Sequence, residues 1–252
     1  MSIASTAPLY ALSLHNLAKC YQLCRIVDPR NFSLNAGAII GLLGGNGAGK
    51  TTTIGMIMGL IEPTEGSIHV LGYDMALERH RALEYMNFES PYVDLPYRLT
   101  ARQNLRIFGR LYNVEDLEEK IDSLAQELAL EPFLDRPTGK LSAGQKTRAS
   151  IAKSLLNDPK LLLLDEPTAS LDPDTADWVR TRLEEHRRKH NCAILLASHN
   201  MREVERLCDR VLMLKSGQLV DDDQPAKLIA RYGRANLDRK STRLNSSHVA
   251  LS

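Results

Sequence analysis

The chain has 252 residues, of which 43% are hydrophobic and 25% charged, a composition typical of a globular domain. This composition excludes collagen-like, coiled-coil and wholly disordered proteins. The formal net charge of +1 gives no general attraction to nucleic acid or anionic lipid, so binding to nucleic acid is not expected.

The sequence has neither a membrane-spanning segment nor a secretory signal. No apolar run approaches the roughly 20 residues that a membrane-spanning helix needs. The first ten residues have neither a basic start nor an apolar centre. The four cysteines form no CxxC pair, which favours buried thiols in a reducing compartment. We therefore expect a cytoplasmic protein.

The first part of the chain predicts short strands followed by a strand, a loop and a helix. Residues Leu9–Leu34 alternate apolar and polar side chains, which is typical of antiparallel strands with one buried face. Ala38–Leu43 is a short apolar run that predicts a buried strand. A glycine-rich turn follows, and Thr51–Leu60 continues with a helical pattern.

This glycine-rich turn reads GGNGAGKT and satisfies the pattern G-x-x-x-x-G-K-[ST]. Its glycines let the backbone wrap a phosphate chain, and the helix that follows adds a favourable dipole. Lys50 supplies a positive charge for the β and γ phosphates, and Thr51 supplies a hydroxyl for Mg²⁺. The predicted phosphate-binding residues are Gly44, Gly45, Asn46, Gly47, Ala48, Gly49, Lys50, Thr51 and Thr52.

The middle of the chain predicts helices. Thr100 and Gln103 are spaced as a capping box, and an apolar stripe follows them. We expect a helical insertion over about residues 85–158 of an α/β domain. Within it, the sequence LSAGQ (Leu141–Gln145) opens a helix predicted from Ala143 to Leu156, whose N–H groups suit an anion. By itself this motif is equally compatible with an ordinary capped helix.

An acidic pair follows a buried strand in the sequence LLLLDEP. Leu161–Leu164 predicts a parallel strand that is buried on both faces. At its end, Asp165 can reach a metal beside a phosphate loop, and Glu166 can polarise a water molecule. Ala193–Ala197 repeats the arrangement and precedes His199.

A further helix is predicted from Pro173 to about His190, with Asp172 as its N-cap. His186 and His190 are four residues apart on this helix, a spacing that could hold a metal ion. Since Arg187, Arg188 and Lys189 lie between them, a solvated basic face is the preferred interpretation.

Taken together, these motifs resemble those of the ATPase subunits of ATP-binding-cassette (ABC) transporters, most closely type-two export systems for drugs, polysaccharides or lipids. The resemblance implies an α/β fold over residues 1–237. Its core would be a P-loop NTPase (RecA-like) parallel sheet, with an N-terminal antiparallel β subdomain and a helical insertion subdomain. It also implies that Tyr21 stacks on adenine, that Glu166 and His199 are catalytic, and that Mg²⁺ accompanies ATP. The signature acting in trans would be Leu141, Ser142, Ala143, Gly144 and Gln145, and the D-loop would be Ser170, Leu171 and Asp172.

The sequence departs from the family pattern at the start of the helical insertion. The glutamine expected there is absent, and Glu89 or Ser90 takes its place. Either side chain has an oxygen that can reach Mg²⁺, so the predicted metal ligands are Thr51, Asp165 and Glu89. Gly45 also stands where proline is common, and glycine accepts the same backbone angles.

The resemblance implies a head-to-tail dimer with a like or related subunit and a separate membrane permease. Such a chain lies on the cytoplasmic face of the bacterial inner membrane. The region Tyr85–Tyr112, in which Tyr92, Leu95 and Tyr97 are predicted to be exposed, is predicted to dock the permease. The alternatives are a soluble ABC ATPase that acts on nucleic acid or ribosomes, and a regulatory ATP-binding module with little turnover.

The last fifteen residues are predicted to be foreign to the natural protein. Asp238–His248 reads DRKSTRLNSSH, which matches the translation of a common short-read sequencing adapter. The natural chain would then be truncated near Leu237, and a natural polar tail is the alternative.

Overall fold

The computed structural model describes residues 10–22, 24–90, 94–169 and 171–233. The predicted adapter tail, Tyr92 and Ser170 lie outside these residues. The described chain contains ten strands and eight α-helices. The strands are β1 (Leu12–Tyr21), β2 (Cys24–Leu34), β3 (Ile39–Leu43), β4 (Glu65–Val70), β5 (Tyr73–Asp74), β6 (Met86–Glu89), β7 (Leu161–Asp165), β8 (Ala193–Ser198), β9 (Arg210–Lys215) and β10 (Gln218–Asp223). The helices are α1 (Lys50–Ile57), α2 (Arg79–Leu83), α3 (Ala101–Leu111), α4 (Leu117–Glu127), α5 (Ala143–Leu155), α6 (Pro173–His190), α7 (Met201–Leu207) and α8 (Pro225–Tyr232).

The chain divides into two compact units. The first contains the residues up to Leu83 and those from Ala193 onward, and the second runs from Glu84 to Cys192. Among the described residues, no helix combines the length and the apolar character needed to cross a bilayer.

The first unit contains the predicted antiparallel strands. They form a sheet in the order β2-β1-β4-β5, and all of its pairs are antiparallel. At the start of β1, the fully buried Leu12 and Leu14 alternate with the more exposed Ser13 and His15. This alternation is the pattern that the sequence showed, so the antiparallel β subdomain is confirmed.

The first unit also contains the strand that leads into the glycine-rich turn. β3 lies between β8 and β9 and is parallel to both, while β10 pairs with β9 in antiparallel fashion. Every residue of β3 and β8 is buried. A β carbon on Gly41 would lie 2.9 Å from Cys208 Sγ and 3.0 Å from Val204 Cγ1. Glycine at this position therefore allows α7 to pack directly on the middle of β3.

The second unit combines two parallel strands with helices. β6 pairs with β7 from Met86 opposite Leu161 to Glu89 opposite Leu164. The predicted strand after Lys160 is confirmed, and all five residues of β7 are buried. The sequence analysis began the helical insertion at about residue 85, whereas residues 86–89 form a strand and the first long helix starts at Ala101.

Three helices of the second unit begin with N-caps, and the sequence analysis named two of these, Thr100 and Asp172. Thr100 and Gln103 form the capping box of α3, and Ser142 and Gln145 form that of α5. Asp172 accepts a hydrogen bond of 2.9 Å from Thr175 N at the start of α6.

The buried face of α6 corrects one expectation. Ala176, Val179, Leu183 and His186 lie on one side of the helix and are all buried. His186 is 1% exposed, so the expectation that it belongs to a solvated basic face is wrong. The intervals of three and four residues between these positions are those of a single helix face, and His186 continues it.

Candidate functional site

The glycine-rich turn between β3 and α1 curls around the side chain of Lys50. The ammonium of Lys50 donates to the carbonyl oxygens of Gly44, at 2.7 Å, and Gly45, at 3.3 Å. Gly47 and Gly49 have φ angles of 75° and 92°, which residues with a β carbon rarely adopt. The sequence motif thus folds into a tight loop that holds a buried cation at its centre.

The start of α1 adds oxygen and nitrogen donors to this loop. Gly49 is the N-cap of α1, and the first N–H groups of a helix have no partner within the helix itself. Thr51 is exposed on the first turn, whereas the hydroxyl of Thr53 donates to Gly49 O at 2.7 Å. Thr51 therefore lies at the exposed start of α1, directly after the Lys50 that the loop encloses.

His199 lies next to the loop. β3 and β8 are parallel and end together, with Leu43 opposite Ser198. Gly44 N donates to Ser198 O at 3.2 Å, and His199 directly follows Ser198. The hydroxyl of Ser198 donates to Glu203 at 2.6 Å, which fixes the strand end from which the exposed His199 projects. The structure thus brings together two predicted site residues that are about 150 positions apart in the sequence.

Tyr21 lies at the end of β1, on the hairpin that β1 forms with β2. Its side chain is exposed, and the ammonium of Lys19 lies 4.9 Å from the centre of its ring. A β carbon on Gly49 would lie 3.0 Å from Ile26 O, so the same hairpin touches the phosphate loop through β2. An exposed aromatic ring on this hairpin can stack on a base.

The second unit carries the acidic pair. Asp165 and Glu166 are 5% and 9% exposed at the end of β7. Glu166 has a φ of 55°, in the left-handed region, and its carbonyl accepts a hydrogen bond of 3.0 Å from Ala169 N. An outlier of this kind at a strand end directs the side chain away from the course of the strand and is common at functional sites.

The predicted D-loop and signature lie at two helix starts of the second unit. Within the D-loop, Leu171 precedes Asp172, and the backbone hydrogen bond from Thr175 lowers the pKa of the Asp172 carboxyl. Ser142 and Ala143 are exposed at the start of α5, and Leu141 is buried. A β carbon on Gly144 would come 3.3 Å from Thr175 Cγ2, so glycine suits the close approach of α5 to α6.

Glu89 has partners that the sequence analysis did not foresee. It is buried at the end of β6, where Lys153 Nζ lies 3.1 Å from its Oε2 and the Ser150 hydroxyl donates to its Oε1. Burial raises the pKa of Glu89, against the opposing effect of Lys153. This ion pair occupies the carboxylate, so the arrangement favours a structural role over the metal ligation suggested for Glu89. The signal in the sequence was the pair Ser150 and Lys153, two polar residues three positions apart in the buried half of α5.

A cavity of about 250 Å³ opens in the second unit beside this ion pair. Leu95 is 8% exposed and lines it, so the expectation that Leu95 is exposed is wrong. Tyr97 is half-exposed at its rim, with the ammonium of Lys146 at 5.1 Å from its ring. Residues lining the cavity include Glu89, Ser90, Leu95, Tyr97, Lys146 and Ser150.

Curated relatives of this chain are named as export ATP-binding proteins. It is 37% identical over 230 residues to Nod factor export ATP-binding protein I of Neorhizobium galegae, with 90% of this chain and 65% of the relative covered. It is 38% identical over 226 residues to the protein of that name from Rhizobium meliloti, with 88% and 67% covered. The chain thus spans about two thirds of the length of these relatives.

Solved structures show the same fold. An ATP-binding subunit of an ABC transporter superposes with a TM-score of 0.79 at 29% identity, covering 89% of this chain and 94% of that one. The cbiO1 protein of Clostridium perfringens, described as part of the ABC transporter complex cbiONQ, gives a TM-score of 0.79 at 26% identity, covering 90% and 93%. These matches confirm the predicted fold class.

The match to a family model covers most of the predicted site residues. Residues 27–169 match the family model for ABC transporters. This range includes the phosphate loop, the signature, Asp165 and Glu166. The chain therefore belongs to the ABC transporter family, as one of its ATP-binding domains.

Proposed function

We propose that this chain hydrolyses ATP to drive export through a separate membrane permease. The observation that carries this proposal is the loop at Gly44–Thr51, which closes on the ammonium of Lys50 beside His199. The names of the relatives favour export over a soluble ATPase that acts on nucleic acid or ribosomes. Intact Glu166 and His199 favour turnover over a purely regulatory module.

The first unit supplies the binding part of the site. When ATP binds, the ammonium of Lys50 donates to phosphate oxygens instead of the carbonyl oxygens of Gly44 and Gly45. The loop N–H groups and the start of α1 surround the phosphates, and Tyr21 stacks on the adenine. His199 donates a hydrogen bond to the γ phosphate.

The donor set fits Mg²⁺. Thr51 in the first unit offers a hydroxyl and Asp165 in the second offers a carboxylate, and each is an oxygen ligand of the kind that Mg²⁺ prefers. When bound, Mg²⁺ would neutralise negative charge on the phosphates. Glu89 is left out of this set because Lys153 already pairs with it.

Glu166 acts as the general base. A water oxygen forms a bond to the γ phosphorus, while the bond from that phosphorus to the bridging oxygen breaks. Glu166 accepts the proton of the water, and the products are ADP and inorganic phosphate. The low exposure of Glu166 limits competing contacts with solvent.

The signature acts on a second subunit. Its exposed helix start offers N–H groups and the Ser142 hydroxyl for an anion. In a head-to-tail dimer, identical or mixed, Ser142 and Gly144 of one copy close over ATP that is held by Lys50 of the other. The D-loop, Ser170, Leu171 and Asp172, then lies between the two sites.

ATP-dependent association tests this arrangement. The variant Glu166→Gln should form a dimer with ATP in size-exclusion chromatography, because bound ATP is retained. Adding Ser142→Arg should abolish the dimer, since a positive side chain replaces the hydroxyl at the interface. The control Gln126→Arg adds the same charge on the exposed side of α4 and should leave the dimer intact. A dimer that persists with Ser142→Arg contradicts the head-to-tail arrangement.

The cavity of the second unit is the proposed docking site for the permease, which holds the chain at the cytoplasmic face of the bacterial inner membrane. Leu95 and Tyr97 give the cavity an apolar wall and rim, and Lys146 adds a charge. An inserted permease segment would contact Ser150, whose hydroxyl binds Glu89.

Docking at this cavity predicts an uncoupled variant. Tyr97→Glu should abolish transport in membranes that contain the permease and leave basal ATP hydrolysis within twofold of the parent rate, since Tyr97 lies outside the nucleotide site. Leu77→Glu, at an exposed position outside the docking region, is the control and should affect neither. Normal transport by Tyr97→Glu would place the docking surface elsewhere.

A further inference from the structure

A cluster of three potential metal ligands lies at the end of α6, apart from every residue assigned to nucleotide or permease binding. The cluster consists of Asp158, His186 and His190, and one ligand atom from each residue lies within 4.8 Å of the other two. Asp158 belongs to the loop between α5 and β7, and the histidines are one turn apart on α6. All three residues belong to the second unit.

The surroundings of His186 indicate that a ligand binds here. It is 1% exposed, yet among the described residues neither of its ring nitrogens has a hydrogen-bond partner. Buried polar atoms are nearly always bonded, so such an orphan calls for an unseen partner. Its ring stacks on that of His190, with centroids 4.3 Å apart and an interplanar angle of 18°.

The distances fit a small cation with nitrogen and oxygen ligands. His190 Nδ1 lies 3.3 Å from Asp158 Oδ1. In a tetrahedral zinc site with bonds of about 2.0 to 2.1 Å, neighbouring ligand atoms are about 3.3 Å apart. The third ligand atom, a ring nitrogen of His186, lies within 4.8 Å of the other two. A rotation of side chains over this distance would complete a three-ligand site.

Burial and neighbouring charged side chains act on all three residues of the cluster. Burial lowers the pKa of His186 to about 4 and lowers that of His190, with the Asp158 carboxylate acting in the opposite direction on both. Lys120 is the main competitor, since its ammonium lies 2.6 Å from Asp158 Oδ1, while Lys189 lies 3.8 Å from Glu127. Because Lys120 and His190 approach the same oxygen, an ion bound by Asp158 Oδ1 displaces the ammonium of Lys120 from it.

We infer that Asp158, His186 and His190 form a site for Zn²⁺ or a similar divalent transition-metal ion. Imidazole and carboxylate ligands suit Zn²⁺, and three protein ligands leave one position for water. The ion ties the C-terminal end of α6 to the loop that leads into β7. Its role is thus to stabilise the second unit, independently of the proposed ATPase activity.

The test is a titration of the full chain with zinc chloride, after treatment with a chelator and without nucleotide. Calorimetry should show one saturable site, and zinc should raise the melting temperature. His190→Gln and Asp158→Asn should each weaken binding by about tenfold or more, as loss of a ligand requires. His80→Gln, which removes an exposed histidine outside the cluster, should bind zinc like the parent.

Two further measurements keep the outcome clear. Circular dichroism of the metal-free variants should match the parent, which separates loss of a ligand from loss of the fold. Both variants alter partly exposed side chains. The fully buried His186 is not substituted, because a change there would disturb the packing of α6. The Co²⁺ complex should show the d–d absorption of a four-coordinate ion without a thiolate charge-transfer band. A thiolate band, no saturable binding, or unchanged binding in both variants would overturn the assignment.

Discussion

The substitution Glu166→Gln is expected to reduce the steady-state rate of ATP hydrolysis by about 10²-fold or more, which is the contribution of a positioned general base. Glutamine has nearly the same volume as glutamate, so the buried strand end keeps its packing. Its amide cannot accept the proton of the attacking water. Phosphate release measures turnover, and calorimetric titration with ATP should show that binding persists.

Two further substitutions serve as controls. Lys50→Ala should weaken ATP binding itself, because the ammonium that pairs with the phosphates is removed. Glu119→Gln makes the same chemical change on the exposed side of α4 and should leave turnover unchanged. If Glu166→Gln hydrolysed ATP at the parent rate, another group would have to be the base.

The substitution Lys153→Met is expected to lower the free energy of unfolding by about 3 to 5 kcal/mol, the usual effect of removing one partner of a buried ion pair. Glu89 and Lys153 are both more than nine-tenths buried, so the remaining carboxylate cannot turn to water. Urea denaturation of the parent and the variant measures the loss. The double variant Glu89→Gln/Lys153→Met should recover most of it, because no buried charge is left.

The pH dependence gives a second readout of the same pair. Burial raises the pKa of Glu89 in the folded chain, and removing Lys153 raises it further. A carboxyl whose folded pKa is raised favours folding at low pH, and this contribution is lost as the pH rises through the folded pKa. The deficit of Lys153→Met should therefore grow as the pH rises from the ordinary range of a glutamate carboxyl through the raised pKa of Glu89. A deficit that is constant over this range, or absent, contradicts an uncompensated carboxylate.

Features that depend on neighbouring residues could be predicted from the sequence. The phosphate loop, the capping boxes at Thr100 and Ser142, and the cap at Asp172 all follow from side chains within a few positions of each other. The buried strand at Leu161–Asp165 follows from its unbroken apolar run. These elements together identified the α/β fold that the structure and the comparisons confirm.

Features that depend on distant parts of the chain could not be predicted in the same way. Residues 86–89 read MNFE, too short and too mixed to indicate a strand, and they form one because β7 pairs with them. The position of Leu95 depends on the residues that enclose the cavity beside it. For His186, the basic side chains next to it in the sequence concealed the helix face on which it lies.

The left-handed backbone at Glu166 sets stability against the proposed hydrolysis of ATP. A residue with a β carbon in this conformation costs about 1 to 2 kcal/mol, whereas glycine adopts it freely. Selection for thermal stability alone would thus favour the substitution Glu166→Gly. The glycine variant would be more stable but would lack the proposed general base. Selection for ATP hydrolysis therefore keeps the glutamate in spite of its cost to stability.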